Sequence, residues 1–368
     1  MAKFTSWLRL KIFKAVLWLS NRFSSRPEKD RVFDGLNKMM RGIENGKESK
    51  GVVVPFDAAK DRFIIFSDQH KGAKNGADDF MLCEPNYLAA LDYYYSNNHQ
   101  LIVLGDCEEL WENTLTKVMK QQQPSFDRYK KFVAQNRFYK TIGNHDLDWK
   151  NDPYTLTQIK KSFGADITIY DGVLLQCSIA DRQLKILCTH GHQGDKASDG
   201  NWFSKFFVSK IWAPLQILLK INPNTPAYDS QLKTLHNRLM YEWSTAQENL
   251  LLITGHTHQP VFESLTYIER LYRQLQIAEQ MDDAAMIKLI REEIHKRKFE
   301  YDHISDEYLT MKPTYFNSGC CCFNDGDITG IEIEDGQLRL VKWAVTNGKP
   351  QRQILEEETL EKLLTCIC

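Results

Sequence analysis

From Arg62 onward, short apolar runs rich in β-branched and aromatic residues end abruptly in small and polar ones. Residues 63–66 lead into Ser67-Asp68-Gln69-His70, residues 101–104 into Gly105-Asp106, and residues 138–142 into Gly143-Asn144-His145-Asp146. Residues 184–188 lead into Thr189-His190-Gly191-His192, and residues 250–253 into Thr254-Gly255-His256-Thr257-His258. Runs this short, bounded by turn formers, predict buried strands. Helical patterns at 87–95 and 126–133 fall between the first of them, so a sheet covered by helices is expected, with all five polar ends on one edge. Further strands are expected at 315–317, 328–334 and 338–344, with Asp335-Gly336 as a hairpin turn. The expected class is α/β, a sandwich of mixed sheets.

Two insertions interrupt this pattern. Residues 201–243 open on Trp202, Phe203, Phe206 and Phe207 and are kinked by Pro214. Residues 267–303 are charge-rich, with apolar Leu271, Leu275 and Ala278, then Ile287, Ile290 and Ile294, which predicts a solvated helical hairpin turning near Met281-Asp282-Asp283. The expected division is a helical lead-in over 1–55, a catalytic domain over 60–345, and a helical tail over 346–368. Residues 1–27 contain no Asp or Glu and mix Trp7, Phe13 and Trp18 with Lys11, Lys14 and Arg22. Lys11 and Lys14 break the apolar stretch, which disfavours a signal peptide or a span. An interfacial helix over 1–26, contacting a membrane surface, and a terminal helix docked on its own domain are the two main readings; a transit peptide is a minor third.

Composition changes this picture little. Of 368 residues, 42% are hydrophobic and the formal net charge is -1, so no global charge advertises nucleic acid and phosphate binding must be local. Nine cysteines without a CxxC pair suit a reduced, cytoplasmic chain. The run Cys320-Cys321-Cys322 reads as packing, because successive strand residues alternate faces. Cys366 and Cys368 match no prenylation box.

The polar strand ends carry the candidate chemistry. Hard divalent cations that activate water take carboxylate and imidazole ligands, and a carboxylate can bridge two ions about 3.5–4 Å apart. Asp68 and His70 can bind one ion together, Asp106 is the natural bridge, Asn144 with His190 and His256 can surround a second ion, and His258 can reach back to the first. His145 lies beside a ligand without being needed as one, and Asp146 is placed to orient or charge it.

Together, Asp68-x-His70, Gly105-Asp106-x-x-Glu109, Gly143-Asn144-His145-Asp146, His190-Gly191 and Gly255-His256-Thr257-His258 resemble the signature of the calcineurin-like metallophosphoesterase superfamily. The resemblance covers residues 60–345 apart from the insertions. It implies a four-layer α/β/β/α sandwich and two divalent metal ions, Mn2+ first, with Fe or Zn as alternatives. It assigns Asp68, His70 and His258 to one ion, Asn144, His190 and His256 to the other, and Asp106 to both. His145 would contact the scissile phosphate and assist the leaving group. His190 and His192 compete for one ligand position; the family's His-Gly element favours His190, leaving His192 to lie behind it or touch substrate. Glu109 is expected as a structural acceptor and Lys71 near the substrate. The stretch through Glu109 and Trp111 also resembles the bacterial UDP-2,3-diacylglucosamine hydrolases. Those enzymes carry arginine where this chain has His145, which implies a different substrate.

The implied reaction is hydrolysis of a phosphomonoester or phosphodiester by a hydroxide bridging the two ions. The aromatic insertion following His190 reads either as core packing of an extra helical layer or as a cap on the site, and a cap suggests a substrate with an apolar portion, such as a lipid-linked phosphate or pyrophosphate. A nucleotide or nucleic-acid phosphodiesterase finds little support beyond Lys71 and Lys74. A non-catalytic scaffold on the same fold is disfavoured because every ligand position is filled.

Overall fold

The computed structural model describes residues 27–75, 78–111, 113–151, 155–194, 230–297 and 310–368. The expected interfacial segment 1–26 and the aromatic opening of the 201–243 insertion lie outside the described residues.

Two seven-stranded sheets form the centre. The first has the order β1 (Gly51–Pro55), β6 (Gly172–Ile179), β7 (Arg182–Thr189), β8 (Leu250–Thr254), β11 (Tyr315–Asn317), β9 (Val261–Phe262), β10 (Leu265–Thr266). The second has the order β14 (Lys349–Thr359), β13 (Gln337–Thr346), β12 (Ile328–Glu334), β2 (Phe63–Phe66), β3 (Gln100–Leu104), β4 (Phe138–Thr141), β5 (Ile169–Tyr170). Strands β2 to β5 run parallel, as do β7, β8 and β11.

The central strands of each sheet are buried on both faces, which is why they read as unbroken apolar runs rather than alternating ones. Phe63, Ile65, Ile102 and Leu104 point inward against Val173, Leu175, Ile186, Leu251 and Ile253 of the facing sheet. Their neighbours Ile64, Phe66, Leu101 and Val103 point outward. There they meet α2 (Glu84–Ser96), α3 (Leu115–Gln121), α4 (Gln123–Val133), α5 (Asp148–Asn151) and α6 (Thr155–Phe163), through residues such as Tyr87, Val118, Phe126, Trp149 and Phe163. On the far side, Leu174, Leu187, Leu250 and Leu252 meet Val32, Leu36 and Met39 of α1 (Lys29–Glu44) and Met240 and Trp243 of α7 (Ser230–Thr245). The result is the expected α/β/β/α sandwich.

The boundaries differ from the sequence expectation at both ends. Within the 1–55 lead-in, α1 packs on the first sheet and β1 is its edge strand, paired parallel to β6. The 346–368 tail was expected to be helical throughout, yet 349–359 pair antiparallel with β13. This stretch, rich in Glu and Gln, has little apolar pattern to betray a strand. Its partner's unsatisfied backbone edge decides the conformation, and a charged edge strand resists further pairing. Only α10 (Leu360–Ile367) is helical; the Thr359 hydroxyl caps it by accepting from Lys362 N, and Leu360, Leu363, Leu364 and Ile367 close one end of the inter-sheet core.

Helices α8 (Tyr267–Gln280) and α9 (Ala284–Arg297) form a hairpin with its own small core of Ile268, Leu271, Ala278, Ile290 and Ile294. Among the described residues, no helix is long and apolar enough to cross a membrane.

Candidate metal centre

The carboxyl ends of β2, β3 and β4 deliver Asp68, His70, Asp106, Asn144 and His145 from the second sheet, and those of β7 and β8 deliver His190, His256 and His258 from the first. The site therefore lies across the seam between sheets. The chain turns out of each strand sharply: φ is 52° at Asp68, 48° at His70, 47° at Asp106, 68° at His256 and 56° at His258. Left-handed backbone costs an L-residue about 1–2 kcal/mol, and five of the seven candidate ligands adopt it. Concentrated strain of this kind persists where the surroundings over-determine the backbone, and it marks functional sites.

Glycines permit the approach of these loops. A Cβ on Gly143 would meet the Asp106 carboxylate and backbone, and one on Gly255 would overlap the Asp68 carboxylate and the Ser67 hydroxyl. Gly255→Ala is expected to push His256 and Asp68 apart, weakening divalent-cation affinity by about 10–100-fold while the fold persists. Isothermal titration with Mn2+ checks this, and unchanged affinity would refute it.

Two groups of donors converge. In the first, His70 Nδ1 lies 2.9 Å from Glu109 Oε2, so Nδ1–H donates to that carboxylate and Nε2 carries the lone pair. That Nε2 lies 3.2 Å from Nε2 of His258, which in turn lies 3.2 Å from Asp68 Oδ1. In the second, His190 Nδ1–H donates to the Leu104 carbonyl at 2.7 Å, directing Nε2 to Asp106 Oδ2 at 3.1 Å and Asn144 Oδ1 at 3.2 Å. His256 joins Asp106 and His190 with ligating atoms within 4.8 Å of one another. Asp106 Oδ2 also lies 3.8 Å from His70 Nε2, so this one carboxylate faces both groups. Metal–nitrogen bonds of 2.0–2.1 Å in tetrahedral array put two nitrogens about 3.3 Å apart, so the 3.2 Å between His70 and His258 fits a shared cation. The donors are the imidazoles and carboxylates that divalent ions take, and the residues fit two such ions.

Charge agrees with this geometry. Burial opposes ionisation of Asp106, but His190 and His145 outweigh it and hold the carboxyl well below the usual range. Burial pulls His190 down, yet Asp106 lifts it to about 9. His258 is likewise depressed by burial but raised to about 10 by Asp68. Imidazoles this proton-hungry have anionic partners that a cation can serve instead.

Not every expected residue lies where the motif suggested. His190, which the His-Gly element favours, meets Asp106 and Asn144, whereas His192 is buried, its Nδ1 has no hydrogen-bond partner among the described residues, and burial lowers it to about 3. Lys71 does not face a substrate position. It is wholly buried, its Nζ donates to Tyr129 OH at 2.8 Å and lies 3.3 Å from Glu108, because the turn after His70 directs it beneath the site. Asp146 does not orient His145 either. It accepts from Gly143 N at 2.7 Å, Cys107 N at 3.0 Å and Lys140 Nζ at 3.2 Å, tying two ligand loops together.

Glu109 takes the role expected of Asp146. Its Oε2 lies 2.8 Å from His145 Nδ1 as well as 2.9 Å from His70 Nδ1. Burial opposes its charge, but His145 and His70 hold it down at about 2. Trp111 stacks on the His145 ring with centroids 4.1 Å apart, and its Nε1 donates to the Asn144 carbonyl at 2.7 Å. The sequence singled it out only as the aromatic in the stretch after Glu109 and assigned it no role. His236, from α7, also went unnoticed: its ring stands edge-on to His256 at 4.9 Å and its buried Nε2 has no hydrogen-bond partner among the described residues. No local pattern in the insertion distinguishes it.

Among solved structures, similar chains include Vps29 from Cryptosporidium parvum, at 12% identity over 81% of this chain and 98% of that one, TM-score 0.31. Others are Vps29 complexed with Zn2+ from Entamoeba histolytica, at 12% over 81% and 99%, TM-score 0.31, and a dimetal phosphatase from Danio rerio, at 10% over 82% and 98%, TM-score 0.33. No curated protein sequence matches significantly. The profile of the calcineurin-like phosphoesterases matches residues 61–260, more than half of the chain and the span that supplies all seven converging side chains, and the chain belongs to that family.

Proposed function

We propose that this protein hydrolyses phosphomonoesters or phosphodiesters with two divalent cations, Mn2+ in preference. The observation that carries the reading is Asp106, one buried carboxylate facing both donor groups, with His145 held beside it. Asp68, His70 and His258 would hold one cation, and Asn144, His190 and His256 the other. Bound there, the cations supply Lewis acidity toward phosphoryl oxygens and lower the pKa of water. The chain supplies positioning and a proton. The His145 N–H donates to Asp106 Oδ1 at 2.8 Å, Trp111 covers one ring face, and Nδ1–H donates to Glu109. Nε2 is the ring nitrogen left for a leaving oxygen. Burial disfavours charge on this ring, but Glu109 and Asp106 carry it up to about 9, so at neutral pH it has a proton to give. A substrate with an apolar portion, such as a lipid-linked phosphate, is the version supported by Trp202, Phe203, Phe206 and Phe207.

The test is Mn2+-dependent turnover of p-nitrophenyl phosphate, bis-p-nitrophenyl phosphate, soluble nucleotides and lipid phosphates. His145→Ala should lower kcat about 10²–10⁴-fold at unchanged metal content. In the native protein kcat should fall as pH rises through the His145 pKa, at or below about 9 because bound cations repel its proton, and the variant should lack that limb. Failure to cleave any substrate with both cations bound would end the hydrolase reading. Equal turnover of soluble and lipid phosphates would end the lipid version alone.

A further inference from the structure

The loop after β11 carries Cys320, Cys321 and Cys322, which the proposed phosphoesterase site does not need. Cys321 turns into the outer core with Ile64, Phe66 and Tyr87, and its N–H donates to the Asp68 carbonyl at 3.1 Å. The Cys320 carbonyl accepts from Thr329 N at 3.0 Å, so the loop is held from both sides. With Cys321 turned away, Cys320 and Cys322 are left on the same side, toward His258. Cys322 Sγ lies 3.5 Å from His258 Nδ1, and the ligating atoms of Cys320, Cys322 and His258 all lie within 4.8 Å of one another.

The other histidines of the centre make this arrangement informative. A metal-binding imidazole ordinarily donates its second N–H to a carboxylate or carbonyl. His70 does so to Glu109 and His190 to the Leu104 carbonyl. His258 instead presents Nδ1 to the Cys322 thiol, with the Cys320 thiol in the same group of donors. Zinc–sulfur bonds of 2.3 Å and zinc–nitrogen bonds of 2.0–2.1 Å in tetrahedral array separate sulfur from nitrogen by about 3.5 Å, the spacing found here.

We propose that Cys320, Cys322 and Nδ1 of His258 form a third cation site, for a soft divalent ion such as Zn2+ or Cd2+, adjoining the hard-ligand centre and sharing His258 with it. Both thiols and the Nδ1–H release their protons to solvent on binding, and His258 becomes an imidazolate between the two sites. Thiolate donors select soft cations over Mn2+, so the two centres discriminate by chemistry. Cys322 is 8% exposed and the His258 side chain 10%, which opens the pair to solvent at one side. A soft ion here adds positive charge beside, and polarises, the imidazole that the phosphoesterase reading assigns to Asp68's cation, and so slows turnover.

The site itself does not depend on the phosphoesterase reading; only its inhibitory consequence does. The test titrates Cd2+ into the Mn2+-loaded full chain in a Cys366→Ser/Cys368→Ser background, which removes the two exposed thiols. Ultraviolet thiolate-to-cadmium charge-transfer absorption is the readout, because the hard-ligand centre contains no thiol. The absorption should saturate at one Cd2+ per chain and vanish on adding Cys320→Ser/Cys322→Ser. If that combination does not fold, Cys322→Ser alone should weaken binding by about tenfold or more. No charge-transfer band with both cysteines present, or a band that survives their replacement, overturns the proposal. A band accompanied by loss of phosphoester turnover supports both readings, whereas a band in a chain that cleaves nothing supports the cation site and sinks the enzyme.

Discussion

Asp106→Asn is expected to reduce bound Mn2+ from two ions per chain to one and to lower phosphoester turnover about a thousandfold. The physical reason is charge. A carboxylate about 4 Å from a cation at an effective dielectric of about 20 is worth about 4 kcal/mol per unit charge, or about a factor of 10³. Asp106 Oδ2 faces His190 at 3.1 Å and His70 at 3.8 Å, so the loss falls on both ions. Asparagine preserves the shape and can still accept the His145 N–H that Asp106 Oδ1 takes at 2.8 Å, so the substitution isolates charge from loop position. Elemental analysis of the dialysed protein, alongside kcat for p-nitrophenyl phosphate, makes the measurement. Two ions retained at full rate would exclude Asp106 as the bridge.

Glu108→Gln should destabilise the fold by about 3–5 kcal/mol, the cost of breaking a buried pair by removing one partner's charge. Glu108 is wholly buried; its Oε2 accepts from Lys140 Nζ at 2.9 Å and Trp149 Nε1 at 2.7 Å, and its Oε1 lies 3.3 Å from Lys71 Nζ. With Asp146, two carboxylates balance two buried lysines beneath the ligand loops, and the substitution leaves one positive charge uncompensated. Urea unfolding should show an earlier midpoint with an unchanged slope, and Glu108→Gln/Lys71→Met should recover part of the loss by restoring balance. Burial opposes the Glu108 charge, but Lys140 and Lys71 outweigh it and hold the carboxyl below its ordinary 4.5. A carboxyl depressed on folding stabilises fully above the unfolded value, and that stabilisation is lost as pH falls below about 4.5. An unfolding midpoint equal to the native one would show that these charges do not stabilise the fold.

The strand ends were legible in the sequence because each combines a local pattern, an apolar run, with an abrupt change to Asp, Asn or His. Their order along five such runs restricts the chemistry to cation binding. The direction of a side chain within a turn is different, because it depends on backbone φ. Lys71 follows His70, whose φ is 48°, and the chain there sends the lysine downward to Glu108 rather than toward the open edge. Asp146 adjoins His145 in sequence, yet it is Glu109, 36 positions away, that reaches the ring. The β14 strand was hidden for a related reason: its conformation is set by β13 across from it, not by its own residues.

By itself, then, the sequence determined the α/β class, the family, the strands that end in Asp, Asn and His, and the order in which those side chains come, since periodicity and residue chemistry are local properties. Tertiary structure alone decided how His190 reaches Asp106 across the seam, that Glu109 rather than Asp146 holds His145, and that Cys320 and Cys322 meet His258. Each of these is a contact across the seam between sheets or between loops distant in sequence, where distance and direction are set by packing that no single segment encodes.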